Sequence, residues 1–386
     1  FIIYQMLLRV FGNRSKSQVS QGSLVLNGTG KFSAVTNEVF MHLKGLGVTH
    51  IWYTGVIEHA TCEDFTVYGI PLDNPLVVKG LAGSPYAIKD YYDVNPYLAD
   101  NPSARLGEFV SLVERTHKAG FGVIIDFVPN HVARGYHQDS KEARIILAQQ
   151  GKPFPPDFGD ENYYLLPDRF SCRNFIDSVP EEQKKLFSRY YAQRRDNFAV
   201  HLSEKLDASN RPDASDMSDA SKTSDELKNE YLFDENPAKA TGNNCFNAAP
   251  GAGDWYETVK LNYGVGYSGI GVTGNCFSPI PDTWLKMREI LLFWLGLGVD
   301  GFRCDMAEMV PVEFWEWVTK EVKCRYPSAM FIAEIYNRHI YETYLFKGGF
   351  DYLYDKEGVY DNLKSISQTY SVTGYKGSGY TDEQCV

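Results

Sequence analysis

The sequence predicts an α/β protein in which parallel strands alternate with helices, as in a (β/α)8 barrel of the TIM type. Short apolar runs recur along the chain, and amphipathic helical patterns precede several of them. Three of these runs end in ionisable residues, and the carboxyl ends of barrel strands are where active sites lie. The alternation by itself also fits a doubly wound sheet. However, no glycine-rich phosphate-binding motif follows the first strand, so we set a nucleotide-binding sheet aside.

The first part of the predicted barrel covers residues 1–131. Its helical patterns stop at Gly47 and Gly120, and glycine is typical just after the end of a helix. The predicted elements in chain order are a strand at 2–10, a helix at 36–46, a strand at 48–56, a helix at 106–119 and a strand at 121–131.

An inserted domain is predicted at residues 132–282, after the third strand. This stretch has little helical or strand periodicity. It includes the Ser- and Asp-rich segment 207–227, whose composition is typical of a solvated surface segment. The insertion therefore follows the carboxyl end of a barrel strand, where loops of a barrel enzyme carry its site.

The second part of the barrel is predicted at residues 283–386. The predicted elements are a helix at 283–298, a strand at 299–306, a helix at 313–326, a strand at 329–335 and a strand at 349–355. Together with the first part this gives six strands, and a complete barrel has eight. We therefore expect the C-terminal part of the barrel to be missing from this sequence.

Composition and charge exclude several classes of function. The formal net charge is −11 and no run of basic residues stands out, which argues against nucleic acid as a partner. No stretch of 18 apolar residues predicts a membrane-spanning helix. The seven cysteines form no CxxC pair, which argues against a structural zinc site. The oligomeric state is left open.

Ionisable and polar residues cluster at the ends of three predicted strands. The third strand ends in DFVPNH, the fourth contains GFRCD, and the fifth contains AE. Because these ends meet at one mouth of a barrel, we expect their side chains to converge. The converging residues are Asp126, Asn130, His131, Arg303, Asp305 and Glu334.

Asp305 and Glu334 predict glycoside chemistry. One strand–helix unit separates them, which places them on adjacent strands about 4.8 Å apart. Retaining glycosidases use two carboxyl groups about 5–5.5 Å apart, one as nucleophile and one as general acid. Arg303 lies two residues before Asp305 on the same strand face, where it favours an ionised nucleophile. A lone Asp or Arg–Asp pair at a strand end is more often structural, so the prediction depends on the whole group.

Three motifs resemble regions of the alpha-amylase superfamily, glycoside hydrolase family 13. They are DFVPNH at 126–131, GFRCDMAE at 301–308 and FIAEIY at 331–336. SPYAIKDYYDVNP at 84–96 is similar to the segment after the family's second strand. The resemblance implies a (β/α)8 barrel with domain B inserted after strand three.

The resemblance also implies roles for individual residues. Asp305 would be the nucleophile, Glu334 the acid/base, and Arg303 the group that keeps Asp305 ionised. His131 would bind the sugar in subsite −1, and Tyr86 would stack on the same ring, although Tyr86 could equally be a packed core tyrosine. Asp126 would orient Arg303.

Two departures from the family pattern concern a third carboxylate and calcium. No His-Asp strand end is visible after Glu334, and Asp382 is the single late candidate, with no apolar strand before it. Family members that bind calcium use the asparagine at the position of Asn130. Here Lys260 occupies the place of a domain B aspartate, and Glu308-Met309 replaces a Lys-His pair. We therefore expect no cofactor and no bound metal, with Lys260 donating to Asn130 in place of calcium.

The predicted function is that of a retaining alpha-glycosidase that hydrolyses alpha-1,4-glucosidic bonds in starch or maltooligosaccharides by double displacement. A transglycosylase or isomerase of the same family would use the same residues, so it remains an alternative. A non-catalytic amylase-like homologue is a further alternative, which the presence of Arg303, Asp305 and Glu334 disfavours. A polysaccharide substrate favours a secreted or periplasmic protein over a cytoplasmic one.

Overall fold

A six-stranded parallel sheet forms the centre of the computed structural model, which describes residues 1–187, 189–190, 235–267 and 274–369. The strand order in the sheet is β1-β2-β5-β8-β9-β10. Strands that are adjacent in the sheet therefore also follow one another along the chain. Its strands are β1 (Ile3–Leu7), β2 (His50–Thr54), β5 (Gly122–Phe127), β8 (Gly301–Cys304), β9 (Met330–Ile335) and β10 (Tyr352–Asp355).

This strand order is that of a partial (β/α)8 barrel, and it confirms the predicted fold class. Each of the six predicted strands is present, with ends that differ from the prediction by a few residues. Phe1, just before β1, stacks on Tyr352 of β10 with ring centroids 4.8 Å apart. This contact between the first and last strands shows that the sheet curves. The barrel is incomplete in the described residues, as the sequence predicted.

Helices follow the sheet strands and cover them. The predicted helices are confirmed within two residues at each end. The α-helices with both ends inside the described ranges are α1 (Leu24–Asn27), α2 (Asn37–Gly45), α3 (Arg105–Lys118), α4 (Lys141–Gln149), α5 (Asp282–Gly296), α6 (Val312–Arg325) and α7 (Asp361–Thr369). None of the helices within the described ranges is both long and apolar enough to span a lipid bilayer.

Several single helical turns connect these elements. The 3₁₀ turns are Phe32–Ala34, Thr66–Tyr68, Pro75–Val77, Pro96–Leu98, Pro102–Ala104, Asp160–Asn162, Ile176–Ser178, Ala307–Met309 and Arg338–Ile340. The π-helical turns are Thr343–Lys347 and Lys356–Tyr360.

Two small antiparallel pairs lie outside the main sheet. One joins β3 (Ile57–His59) to β4 (Ile88–Val94), and the sequence prediction missed both of these strands. All seven residues of β4 are buried, so it lacks the alternation of apolar and polar residues that marks a half-exposed strand. The other joins β6 (His131–Ala133), shortly after β5, to β7 (Thr258–Lys260), which precedes α5 and β8.

Residues between β5 and β8 form most of a second apolar cluster, which Leu76 and Val77 complete from the chain before β5. Phe170, Phe175 and Tyr256 belong to a buried cluster separate from the main core, and the rings of Phe175 and Tyr256 stack with centroids 4.0 Å apart. The predicted polar segment 207–227 lies outside the described residues.

The main core lies between the sheet and its helices and is rich in aromatic side chains. Phe127 of β5 packs edge-on against Phe302 of β8, with ring centroids 6.0 Å apart. It also packs against Trp315 of α6, at 6.3 Å. These contacts fix β5 and β8 side by side, and the two strands carry Asp126 and Arg303 on their other face.

Gly301 sets how closely β8 approaches β9. It pairs with Met330, and a Cβ added at Gly301 would lie 2.7 Å from both the Cβ and the carbonyl oxygen of Met330. Backbone atoms cannot move aside as a flexible side chain can. A larger residue must therefore displace β8, and with it Arg303.

We expect Gly301→Ala to lower the free energy of unfolding by about 1–3 kcal/mol, the usual effect of forcing an extra methyl group into a packed site. Urea denaturation of the purified chain measures the change. Gly45→Ala on α2 is a matched control, because its added Cβ meets nothing within 4 Å and alanine favours a helix. Equal stability of Gly301→Ala and wild type would contradict this account of the β8–β9 contact.

Candidate active site

The strand register brings the predicted strand-end residues together. Asp126 of β5 pairs directly with Arg303 of β8, and Arg303 pairs with Ile332 of β9. Glu334 lies two residues beyond Ile332 and therefore points to the same face of the sheet. Asp305 directly follows β8, and its backbone N–H donates to the carbonyl of Phe127 at 2.8 Å.

One guanidinium group joins all three carboxylates. Arg303 Nη1 lies 2.7 Å from Asp305 Oδ1 and 3.2 Å from Asp126 Oδ1, and its Nη2 lies 2.6 Å from Glu334 Oε2. All four side chains are buried. The structure therefore brings these four predicted site residues into one cluster, which we call the Arg303 cluster.

Two tyrosines complete the Arg303 cluster, and the sequence prediction missed both. Tyr354 of β10 accepts hydrogen bonds from Arg303 Nε at 3.2 Å and from Nη2 at 2.7 Å. The hydroxyl of Tyr336 donates to Glu334 Oε1 at 2.5 Å. Tyr336 lies two residues after Glu334, so its position on the same side was available from the strand period.

The loop after β8 adds a backbone donor to Glu334. The N–H of Met306 donates to Glu334 Oε2 at 2.9 Å. Met306 has a φ of 44°, in the left-handed region that non-glycine residues rarely adopt. Such a conformation costs roughly 1–3 kcal/mol and is most often found at functional sites.

The two carboxyl groups that the sequence pairs are directly coupled. Arg303 binds Asp305 through Nη1 and Glu334 through Nη2, and each carboxyl group affects the titration of the other. Burial, together with the charges of Glu334 and Asp126, raises the pKa of Asp305 to about 8, against the lowering effect of Arg303. Burial also acts to raise the pKa of Glu334, but Arg303, Tyr336 and the Met306 N–H outweigh it, so that this pKa is lowered. Because the two carboxyl groups interact strongly, the raised pKa belongs to the pair, which holds one proton near neutral pH in the free site.

His131 and Tyr86 lie at the edge of the Arg303 cluster. The Tyr86 ring centroid is 5.4 Å from the Arg303 guanidinium carbon. His131 is buried. Its Nδ1 accepts a hydrogen bond from Asn130 Nδ2 at 3.1 Å, and its ring also interacts with the backbone of Tyr86. Burial and the nearby Lys260 lower the pKa of His131 to about 3, so its ring is neutral.

The place that calcium takes in some members of the resembled family does not suit a cation here. Lys260 Nζ lies 2.6 Å from Asn130 Oδ1 and 3.5 Å from the carbonyl of Met309. This is the hydrogen bond to Asn130 that the sequence predicted. Among the described residues no carboxylate forms an ion pair with Lys260, and burial lowers its pKa to about 7. An amino group already fills this position, and a hard cation needs several oxygen ligands.

A cavity of about 610 Å³ opens beside the Arg303 cluster. Its lining includes Tyr336, which contacts Glu334, together with Glu308, Asn337, Arg338 and His339. A second cavity of about 790 Å³ is lined by none of the cluster residues. The first cavity therefore meets the Arg303 cluster through Tyr336, which contacts Glu334.

Comparison with known proteins places the chain in a family. Residues 11–213, just over half of the chain, match the family described as alpha amylase, catalytic domain. The chain belongs to this alpha-amylase family. The matched part includes Tyr86, Asp126 and His131 of the site described above. The prediction of the alpha-amylase superfamily is confirmed.

The similarity to individual relatives is local. Over 95 residues the chain is 39% identical to an alpha-1,4-glucan:maltose-1-phosphate maltosyltransferase from Chlorobaculum tepidum. The alignment covers 23% of this chain and 14% of that protein. Over 73 residues it is 41% identical to the protein of the same name from Rhodospirillum rubrum, or 19% of this chain and 11% of that one. The chain thus spans a small fraction of the length of these curated relatives.

Solved structures resemble the chain over most of its length at low identity. An alpha-amylase from Lactobacillus plantarum is 20% identical, and the alignment covers 100% of this chain and 50% of that chain with a TM-score of 0.42. A maltogenic amylase from S. marinus is 16% identical, with 96% and 41% of the two chains covered and a TM-score of 0.49.

We expect Lys260→Met to lower the free energy of unfolding by about 1–3 kcal/mol, because it leaves the buried Asn130 Oδ1 without its donor. The folded pKa of Lys260 is about 7, below its ordinary value of 10.5. Between these values the unfolded chain binds more protons, so this lysine adds stability as the pH rises. The stability difference between wild type and Lys260→Met should therefore widen from pH 7 to pH 9.

Thermal unfolding of both proteins across this pH range tests the prediction. Lys118→Met, at an exposed position on α3, is the matched control and should follow wild type at each pH. A stability difference for Lys260→Met that narrows as the pH rises would contradict the lowered pKa.

Proposed function

We propose that the chain is the catalytic part of a retaining alpha-glycosidase that acts on alpha-1,4-glucans such as starch and maltooligosaccharides. The observation that carries the proposal is the position of Asp305 and Glu334 at the ends of adjacent parallel strands, with Nη1 and Nη2 of Arg303 bound to them at 2.7 and 2.6 Å. Inverting glycosidases keep their two carboxyl groups about 6.5–9.5 Å apart to admit a water. Two carboxyl groups bound by one guanidinium favour the shorter separation of a retaining enzyme.

In the first step Asp305 attacks the anomeric carbon while Glu334 protonates the leaving glycosidic oxygen. The carboxylate of Asp305 forms a bond to this carbon, and the bond to the glycosidic oxygen breaks. Arg303 Nη1, at 2.7 Å from Asp305, stabilises the ionised carboxylate before attack. Asp126 has a supporting role, because its contact with the same nitrogen fixes the guanidinium in place.

The reaction needs the shared proton on Glu334 and not on Asp305. Arg303 holds the two carboxyl groups beside each other, which gives the proton a short path from one to the other. A glycosidic oxygen beside Glu334 can accept a hydrogen bond from this carboxyl group only when Glu334 is protonated. Its presence therefore favours the proton on Glu334. Substrate binding therefore sets the protonation order that the free site lacks.

In the second step Glu334 acts as a base and activates a water, which releases the sugar from Asp305. Tyr336, which contacts Glu334, also lines a cavity, so we assign the approach of water to this side of the site. Tyr86 stacks on the sugar ring in subsite −1, where an aromatic face suits apolar C–H groups. His131 binds a hydroxyl of the same ring, which requires its buried ring to turn from the Tyr86 backbone.

The reaction proceeds without a metal in this proposal. Lys260 takes the position of a cation beside Asn130 and joins β7 of the inserted segment to the end of β5. The protein therefore needs no calcium at this place to hold His131, which follows Asn130. A polysaccharide substrate of this kind also favours export from the cytoplasm.

Glycosyl transfer is the second candidate function. It is favoured by the local similarity to two proteins named as maltosyltransferases. In this case a sugar hydroxyl replaces water in the second step, and Asp305, Glu334 and Arg303 keep the same roles. The two functions differ in their products and not in their catalytic residues.

Incubation with maltoheptaose, followed by chromatography of the products, tests the proposal. Hydrolysis yields only maltooligosaccharides shorter than seven units, whereas transfer also yields longer ones. We expect Glu334→Gln to lower the rate about 10²–10⁴-fold, the usual contribution of a general acid–base group. Glu342→Gln is the matched control at an exposed glutamate and should keep the wild-type rate. An unchanged rate for Glu334→Gln, or no product of either kind from wild type, would contradict the proposal.

Tyr336→Phe should shift the basic limb of the pH profile of kcat/KM to higher pH. The Tyr336 hydroxyl donates to Glu334 and lowers the pKa of that carboxyl, so its removal raises the pKa. The general acid then keeps its proton to a higher pH. The control Tyr326→Phe, at the end of α6, should leave the profile unchanged. A shift of the basic limb to lower pH would exclude this action of Tyr336.

A further inference from the structure

A second group of carboxylates lies outside the Arg303 cluster. Glu58 is on β3, Asp93 is on the paired strand β4, and Asp139 lies two residues before α4 in the segment between β5 and β8. One oxygen from each of the three carboxyl groups lies within 4.8 Å of the other two. We call these residues the Glu58 cluster.

Two of these carboxyl groups lack hydrogen-bond partners. Glu58 is 2% exposed, and neither of its carboxylate oxygens has a hydrogen-bond partner among the described residues. The same holds for both oxygens of Asp139, which are shielded from solvent. A buried carboxylate without a partner is strongly unfavourable, and Glu58 points its oxygens at Asp93 and Asp139. The structure thus lacks a positive or hydrogen-donating group at this point.

The surrounding residues do not supply that group. Lys89 forms an ion pair with Asp73 at 3.1 Å and also donates to the carbonyl of Pro71. Arg105 binds both oxygens of Asp93, at 3.0 Å from Nε and 2.7 Å from Nη2. Lys89 is therefore engaged outside the Glu58 cluster, and Arg105 forms an ion pair with one of its three acids, Asp93.

A further buried acid increases the negative charge. Asp90 of β4 accepts hydrogen bonds from the backbone N–H groups of Tyr92, Asp139 and Ser140, at 2.7, 2.8 and 3.0 Å. With Asp73 it brings the acids of this region to five, against the two cations Lys89 and Arg105. A divalent cation would leave the region close to neutral, which burial strongly favours.

We propose that Glu58, Asp93 and Asp139 form a calcium site that joins the β3–β4 hairpin to the beginning of α4. Oxygen ligands alone suit a hard cation, and calcium–oxygen distances are about 2.3–2.6 Å. Oxygens up to 4.8 Å apart can all touch one such ion, since that separation is about twice a calcium–oxygen distance. Asp93 Oδ1 accepts from Arg105 Nε and from the N–H of Val94, which leaves Oδ2, bound by Arg105 Nη2, as the oxygen that we assign to the ion. This site is distinct from Asn130, where Lys260 lies.

Calcium at this place would stabilise the attachment of the inserted segment to the barrel. Asp139 is the one ligand from the inserted segment, and its backbone N–H is already held by Asp90 of β4. The ion adds a second connection between the same two parts of the chain. Its effect should therefore be on stability, independently of whether the Arg303 cluster hydrolyses or transfers sugars.

Calorimetric titration of the EDTA-treated chain with calcium chloride at pH 7.5 tests the proposal. We expect one bound calcium ion per chain. Calcium at about 100 times its dissociation constant should raise Tm by roughly 3–6 °C. Glu58→Gln and Asp139→Asn should each abolish the binding and the rise in Tm, and Asp139→Asn provides the test if Glu58→Gln does not fold. Glu342→Gln, at an exposed glutamate, should keep both.

Three outcomes would overturn the proposal. The first is the absence of bound calcium in the wild-type chain, which would mean that protons shared between Glu58 and Asp139 neutralise the cluster. The second is undiminished binding in both Glu58→Gln and Asp139→Asn, which would place the ion elsewhere. The third is binding without any change in Tm.

Discussion

The contact of a single guanidinium group with three carboxylates organises this molecule. Arg303 is buried and binds Asp126, Asp305 and Glu334, which come from three adjacent strands of the sheet. Three buried acids would repel one another without this cation, so the sheet cannot bring these strand ends together unless Arg303 is present. Burial acts to lower the pKa of Arg303, but the charges of Asp126, Asp305 and Glu334 outweigh it and raise this pKa above its ordinary value, which keeps the guanidinium charged. The same contact gives the site its chemistry, since it leaves one proton to be shared by Asp305 and Glu334.

The parts around the sheet support this contact in different ways. Gly301 lets β8 pass close to β9, which determines the height of Arg303 relative to Glu334. Lys260 connects the inserted segment to the end of β5 through Asn130, and so holds the chain at His131. In each case a buried polar or backbone contact, rather than apolar packing alone, fixes the position of a strand end. Met306, immediately after Asp305, has a left-handed backbone whose N–H donates to Glu334.

The sequence predicted the six strands and the residues at their ends, because buried parallel strands are continuous apolar runs and their ends carry the polar residues. It did not predict Tyr354, whose contact with Arg303 depends on the register of β10 against β9. It also did not predict the Glu58 cluster, because β3 and β4 lack a strand-like pattern. In addition, Asp139 lies far along the chain from Glu58 and Asp93. The protonation order of the Asp305–Glu334 pair was likewise inaccessible, since it depends on burial and on hydrogen bonds at single atoms.

The central claim is that Asp305 forms a covalent bond with the sugar. The most direct measurement is peptide mass spectrometry of Glu334→Gln after incubation with alpha-maltosyl fluoride, whose leaving group needs no general acid. Loss of the base in this variant slows the release of the bound sugar, so that the intermediate accumulates. We expect one maltosyl group on the peptide that contains Asp305, and its absence from Asp305→Asn/Glu334→Gln. A maltosyl group on any other residue, or fluoride release without an adduct, would contradict the assignment of Asp305 as the nucleophile.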